Sequence, residues 1–122
     1  MKKVEAIIRP EALQDVQDAL DELGVSGLTI TSVMGCGRTK GYQEHYRGTV
    51  ANISLLPKVK VETVVPADVA DRAVDAIVKV ARTGETGDGL VFVSPIDQAV
   101  RIRTDERGED TVRHETPVGW GH

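Results

Sequence analysis

The stretch Lys58-Val59-Lys60-Val61-Glu62-Thr63-Val64-Val65 alternates polar and apolar positions along most of its length, and Pro57 and Pro66 fence it. A period of two sends successive side chains to opposite faces, so this is a strand with one face toward a core. Prolines cannot donate to a sheet ladder and mark its limits here. Downstream, Ala67 to Arg82 carries Val69, Ala73, Ala76, Ile77 and Val80 at helical spacing, which predicts a helix. Leu90-Val91-Phe92-Val93 then reads as a strand closed by Ser94-Pro95. Upstream, the β-rich Leu28 to Met34 predicts another strand. No helical face separates it from the quoted stretch, so the two strands are consecutive elements joined by a long loop. Before them, Glu11 to Leu23 carries Leu13, Val16, Gln17, Leu20 and Leu23 on one face, after Pro10 and before Gly24. That predicts a helix with a start and a stop. Val4 to Ile8 is a first short strand, and Val100 to Arg103 a last short strand or edge piece.

The order is β-α-β-β-α-β. It predicts an α+β, ferredoxin-like fold: one antiparallel four-stranded sheet with both helices on one face. The other face is left bare, and the expectation is that it packs on copies of itself. With 122 residues the chain is one domain, read as residues 1–110 plus a tail over 111–122. Hydrophobic residues make up 40% and charged residues 28%, which fits a globular protein and argues against disorder. A net charge of −4 gives no basic footprint for nucleic acid. No segment approaches a membrane span, so a membrane role would pass through a partner. Glu5 and Arg9 break any apolar run of the signal-peptide kind. Cys36 is the single cysteine, so the expected setting is reducing and cytoplasmic.

Three stretches carry candidate chemistry. Gly35 to Gly48 opens a connection too long for a compact domain to leave idle, and loops on a rigid scaffold are where binding sits. Thr83-Gly84-Glu85-Thr86-Gly87-Asp88-Gly89 holds three glycines. Its bare backbone N–H groups can form an anion-binding concavity with phosphate as the obvious guest, although the same pattern is common as a helix stop and tight turn. Arg101 and Arg103 share one side of an extended segment, a typical grip on phosphate or carboxylate. The plainer reading pairs them with Asp105 and Glu106. His45, His114 and His122 lack metal-ligand spacing, and Cys36 reads as a small packed residue rather than a nucleophile. No hydrolytic or metal constellation stands out, so a binding module is expected rather than an enzyme.

Taken together, these stretches resemble the PII family of nitrogen-regulatory signal transduction proteins. The resemblance runs through Lys3-Val4-Glu5-Ala6-Ile7-Ile8-Arg9-Pro10, Gly35 to Lys40, Tyr46-Arg47-Gly48 and Leu56-Pro57-Lys58-Val59-Lys60. It continues through Thr83-Gly84, Gly87-Asp88-Gly89, Phe92-Val93-Ser94-Pro95, Arg101-Ile102-Arg103-Thr104 and Glu106-Arg107-Gly108-Glu109-Asp110. It implies a homotrimer with ATP or ADP in the clefts between subunits. By position, Thr29, Glu62 and Val64 would line the adenine and ribose region with Ile7 nearby. Gly35, Gly37, Arg38, Gly87, Asp88, Gly89 and the residue at Leu90 would lie along the phosphates, with Arg101 and Arg103 reaching across. Lys58 matches the family lysine that pairs with 2-oxoglutarate. The long loop would be the T-loop, with Tyr42, Glu44, Tyr46, Arg47, Gly48, Thr49 and Ala51 facing a protein partner. The partner implied is an Amt-type ammonium transporter, entered by Arg47, or a nitrogen-metabolism enzyme.

Three departures qualify what the resemblance implies. Leu90 stands where the family usually has a lysine on the β- and γ-phosphates, so ATP should be favoured less and ADP or AMP should compete better. Thr39 replaces a glutamine that helps hold Mg²⁺ and 2-oxoglutarate; threonine has no amide oxygen, which leaves 2-oxoglutarate and Mg²⁺ open. Ala51 replaces the tyrosine that many members uridylylate, and without a hydroxyl it cannot be modified so; Thr49 does retain one. The alternative is therefore a specialised sensor preferring ADP or AMP, with a second ligand such as bicarbonate. A third reading, an enzyme or metal-binding trimer on the same scaffold, lacks a supporting constellation.

Overall fold

The computed structural model describes residues 1–25, 27–38 and 53–113. Strand β1 (Lys2–Ile8) leads through a 3-10 turn at Pro10–Ala12 into α1 (Leu13–Glu22). Then come β2 (Thr29–Arg38), β3 (Ile53–Val65), α2 (Ala67–Ala81) and β4 (Gly89–Pro95). The sheet order is β2-β3-β1-β4, and every pairing is antiparallel. This is the expected ferredoxin-like α+β fold.

The core follows from the alternation. Val4, Ala6 and Ile8 of β1 and Val59, Val61 and Val65 of β3 are buried, and so are Val16 and Leu20 of α1 and Ala70, Ala73, Ile77 and Ala81 of α2. The buried stripe of α2 thus runs through Ala70 and Ala81, with Val69 and Val80 at its margin. Thr63 is the buried polar residue of this layer, and its hydroxyl donates to the Gly27 carbonyl at 2.7 Å. A buried hydroxyl needs such a partner.

Three expectations are corrected. The connection expected from Gly35 is strand at both ends: β2 and β3 stay paired from Met34↔Pro57 out to Arg38↔Ile53. Pro57 fits inside β3 because β1 reaches only to the Ile8↔Val59 rung; beside Pro57 one edge is free, so a missing N–H costs little there. Cys36 lies on this ribbon and is exposed rather than packed, since the neighbouring Met34 and Leu55 are also uncovered. Similarly, Val100 to Arg103 is no strand. Val100 makes a single bridge to Arg107, and the chain turns over residues 102–104.

Candidate functional site

The sheet face away from the helices carries most of the predicted positions. One rung across it reads Thr29, Glu62, Glu5, Phe92, and the next reads Thr31, Lys60, Ile7, Leu90. Val64 sits opposite Lys3. Like charges directly opposed weaken a ladder, and Glu5 faces Glu62. Lys3 resolves this, with its ammonium 3.0 Å from Glu62 and 3.4 Å from Glu5. The hydrogen bond to Glu62, then that to Glu5, raises Lys3 above its ordinary pKa. Leu56, Leu90 and Phe92 stand exposed on this face.

At one end of the face, β1, β3 and the turn between α2 and β4 converge. The Arg9 guanidinium donates to Asp88 Oδ1 at 3.2 Å and to the Thr86 carbonyl at 2.9 Å. Lys58 donates to the Gly87 carbonyl. The Lys58 side chain also covers Gly35, where a Cβ would come within 2.9 Å of its Cγ. Ile7, Gly35, Lys58 and Gly87 to Leu90 are therefore brought together.

Inside the turn, Asp88 accepts from the N–H groups of Thr83 at 2.8 Å and Gly84 at 2.9 Å, and from the Thr83 hydroxyl. The sequence suggested free N–H groups throughout this turn. Two of them are instead taken by the chain's own carboxylate. An Asp can bind nearby backbone N–H groups in this way, and the Thr-Gly pair four and five residues before it was the readable signal. The Thr83 hydroxyl, the Thr83 and Gly84 N–H groups and Arg9 hold the Asp88 carboxyl well below the usual carboxylate range. A depressed folded pKa adds stability above the unfolded value of about 3.9 and loses it as pH falls. Asp88→Asn is accordingly expected to destabilise at pH 7, and by less near pH 2.5, where the unfolded carboxylate is already protonated. Urea midpoints at the two pH values check this, and an equal deficit at both would refute it.

Arg101 and Arg103 belong to the opposite end. β4 runs from the Ile8↔Gly89 rung to Lys2↔Pro95, and six residue steps of strand put its ends about 20 Å apart. Arg113 confirms where the following segment lies, since it reaches Asp68 at the start of α2 at 3.4 Å. Arg101 is held by Glu106 Oε1 at 2.9 Å and the Thr111 carbonyl at 3.3 Å. Because the chain turns after Arg101, the two arginines do not share one side of a strand. Ile102, between them, is 99% exposed. Thr39, Tyr42, Glu44, Tyr46, Arg47, Gly48, Thr49 and Ala51 lie outside the described residues, as do the Arg38 side chain and the tail from residue 114, and of Gly37 only the strand pairing is described. Among the described residues no group of three His, Cys, Asp or Glu could hold a metal, and no helix is long and apolar enough to cross a membrane.

A family model described as Nitrogen regulatory protein P-II matches residues 1–106. The chain belongs to the P-II family. Curated P-II relatives agree over 112 residues, 92% of this chain and 100% of each relative. The Nitrogen regulatory protein P-II of Rhodobacter capsulatus is 54% identical and that of Cereibacter sphaeroides 53%. Nitrogen regulatory protein P-II 1 of Escherichia coli K12 is 48% identical. P-II membership places the chain among regulatory signal-transduction proteins. Arg9 is the residue of the turn that sequence reasoning missed as a site residue, because nothing local links it to a turn 77 residues later.

Proposed function

We propose that this P-II chain is a homotrimeric sensor that binds ATP or ADP between its copies and regulates a protein partner. The observation that carries the reading is the split of the predicted residues between two ends of one sheet. The glycine turn precedes β4 and the Arg101–Arg103 segment follows it, with the two ends of β4 about 20 Å apart, so one copy's turn would be completed by another copy's arginines. The exposed Ile102 at the tip of that segment and the apolar Leu56, Leu90 and Phe92 on the open face support burial against a second copy. Residues 1–110 would form the sensing domain. Thr29, Glu62 and Val64 would receive the base, and Gly87, Asp88 and Gly89 would offer backbone N–H groups to the phosphates. The partner, reached through residues 42–51, would be an Amt-type ammonium transporter or a nitrogen-metabolism enzyme, in the cytoplasm and without tyrosine uridylylation at Ala51. No catalytic step is assigned.

A second reading concerns the second ligand. Lys58, the residue that would hold 2-oxoglutarate, already donates to the Gly87 carbonyl, and Thr39 offers no amide. Both favour a sensor whose second ligand differs, such as bicarbonate, and Leu90 in place of the phosphate lysine favours ready acceptance of ADP or AMP. Calorimetric titration with ATP, ADP and AMP, with light scattering for the assembly, tests the first reading. ATP and ADP are expected to bind a trimer, and no heat from any nucleotide would overturn it. Repeating the Mg-ATP titration with 2-oxoglutarate separates the two readings, since marked tightening rejects the second.

A further inference from the structure

We infer that Arg9 is a positioning residue that orients the turn's N–H groups toward a phosphate. The inference rests on the nucleotide reading above. Arg9 follows β1 directly, and Lys58 lies in β3, so both cations approach the turn from the sheet. Arg9 holds the Thr86 carbonyl and Lys58 the Gly87 carbonyl. A trans peptide is planar, with its N–H opposed to its C=O. Pinning these two carbonyls toward the cations therefore turns the Gly87 and Asp88 N–H groups away from them, side by side. Gly87 lies at φ +102°, a conformation that residues with a Cβ rarely adopt, so this turn depends on glycine there. Successive N–H groups so displayed make an anion-binding concavity.

Arg9 contributes more to this than Lys58. Its guanidinium also fixes Asp88, whose carboxylate ties down Thr83 and Gly84. It lies over Gly87 closely enough that a Cβ there would be 3.2 Å from Nη2. One side chain thus sets the carbonyl before Gly87, the carboxylate after it and the space above it. Donors arranged before the ligand arrives bind it better than donors that must be ordered.

Arg9→Met is expected to weaken ADP and ATP about tenfold, in line with losing an interaction with a charged group. Adenosine, which has no phosphate, should bind as before, and Arg9→Lys should recover most of the loss by restoring one cation to the Thr86 carbonyl. Calorimetry for the nucleotides and competition for adenosine read these ratios on the full chain. Unchanged ADP binding in Arg9→Met, or an equal loss for adenosine, overturns the inference while leaving the nucleotide reading intact. Absence of ADP binding in the parent chain overturns both. Should Arg9→Met not fold, the same ratios are read on Arg9→Lys: a smaller, phosphate-selective loss supports the inference and no selective loss overturns it.

Discussion

Gly89→Ala is expected to lower stability by about 4 kcal/mol, the sum of backbone strain at positive φ and overpacking. Gly89 has φ +108°, and a Cβ there would stand 1.8 Å from the Ile7 carbonyl oxygen and 2.9 Å from its carbon. Both atoms are backbone, within a strand whose Ala6 and Ile8 are buried to 0% and 1% exposure, so neither can move aside as a flexible side chain would. The clash falls on the rung Ile8↔Gly89, where β4 begins its pairing with β1. β4 is an edge strand with β1 as its neighbour, so relief comes by peeling its first rungs, which would carry Leu90 and the turn away from Ile7. For a domain of this size the expected fall in Tm is roughly 15 °C. Thermal melts at matched protein concentration measure it, because assembly makes Tm depend on concentration. A Tm within about 2 °C of the parent would show that the turn can relax elsewhere.

Leu90→Lys is expected to tighten ATP by roughly tenfold to a hundredfold, with a smaller gain for ADP. Leu90 is 65% exposed on the open face, opposite Ile7 and one residue after the turn. Within its own copy a lysine there meets no packed neighbour, so the substitution should leave the fold of the single chain alone. It would add a mobile point charge beside the proposed phosphate positions, and a hydrogen bond to a charged group contributes about 1.5–3 kcal/mol. That converts to the stated range of affinity. The gain should be largest for the nucleotide with the most phosphate charge, so the ATP/ADP ratio is the decisive quantity. Equal tightening of ATP, ADP and adenosine would place the effect outside the phosphates and count against the proposed site.

The open face illustrates what could be read beforehand. The alternation from Lys58 to Val65 was legible because its buried and exposed partners are neighbours in sequence, and the register bears it out through Val59, Val61 and Val65. Helix α1 was legible in the same way, although its first turn is 3-10, since Pro10 lacks the N–H and sits at the start of that turn. The ends of β2 and β3 beyond Met34 and Pro57 were not. A two-stranded ribbon is stabilised by cross-strand pairing, and glycines at 35 and 37 hide that in a local reading. The Arg101–Arg103 segment misled for the opposite reason: two arginines two apart look like a strand face, whereas Glu106 and the Thr111 carbonyl fold the segment back on itself.

The sequence alone determined the element order, the antiparallel sheet with helices on one face, and the family. These depend on periodicity and on motifs whose residues lie close together in the chain. Only the tertiary structure decided how the glycine turn is held. Arg9 meets Thr86 and Asp88 from 77 and 79 residues away, and Lys58 meets Gly87 from 29. Those contacts exist because β1 ends, β4 begins and β3 passes through Lys58 at the same end of the sheet, and no local pattern records which distant cation will arrive there. The same geometry set the arginines at 101 and 103 beyond the far end of β4, so in the proposed reading a second copy would supply them.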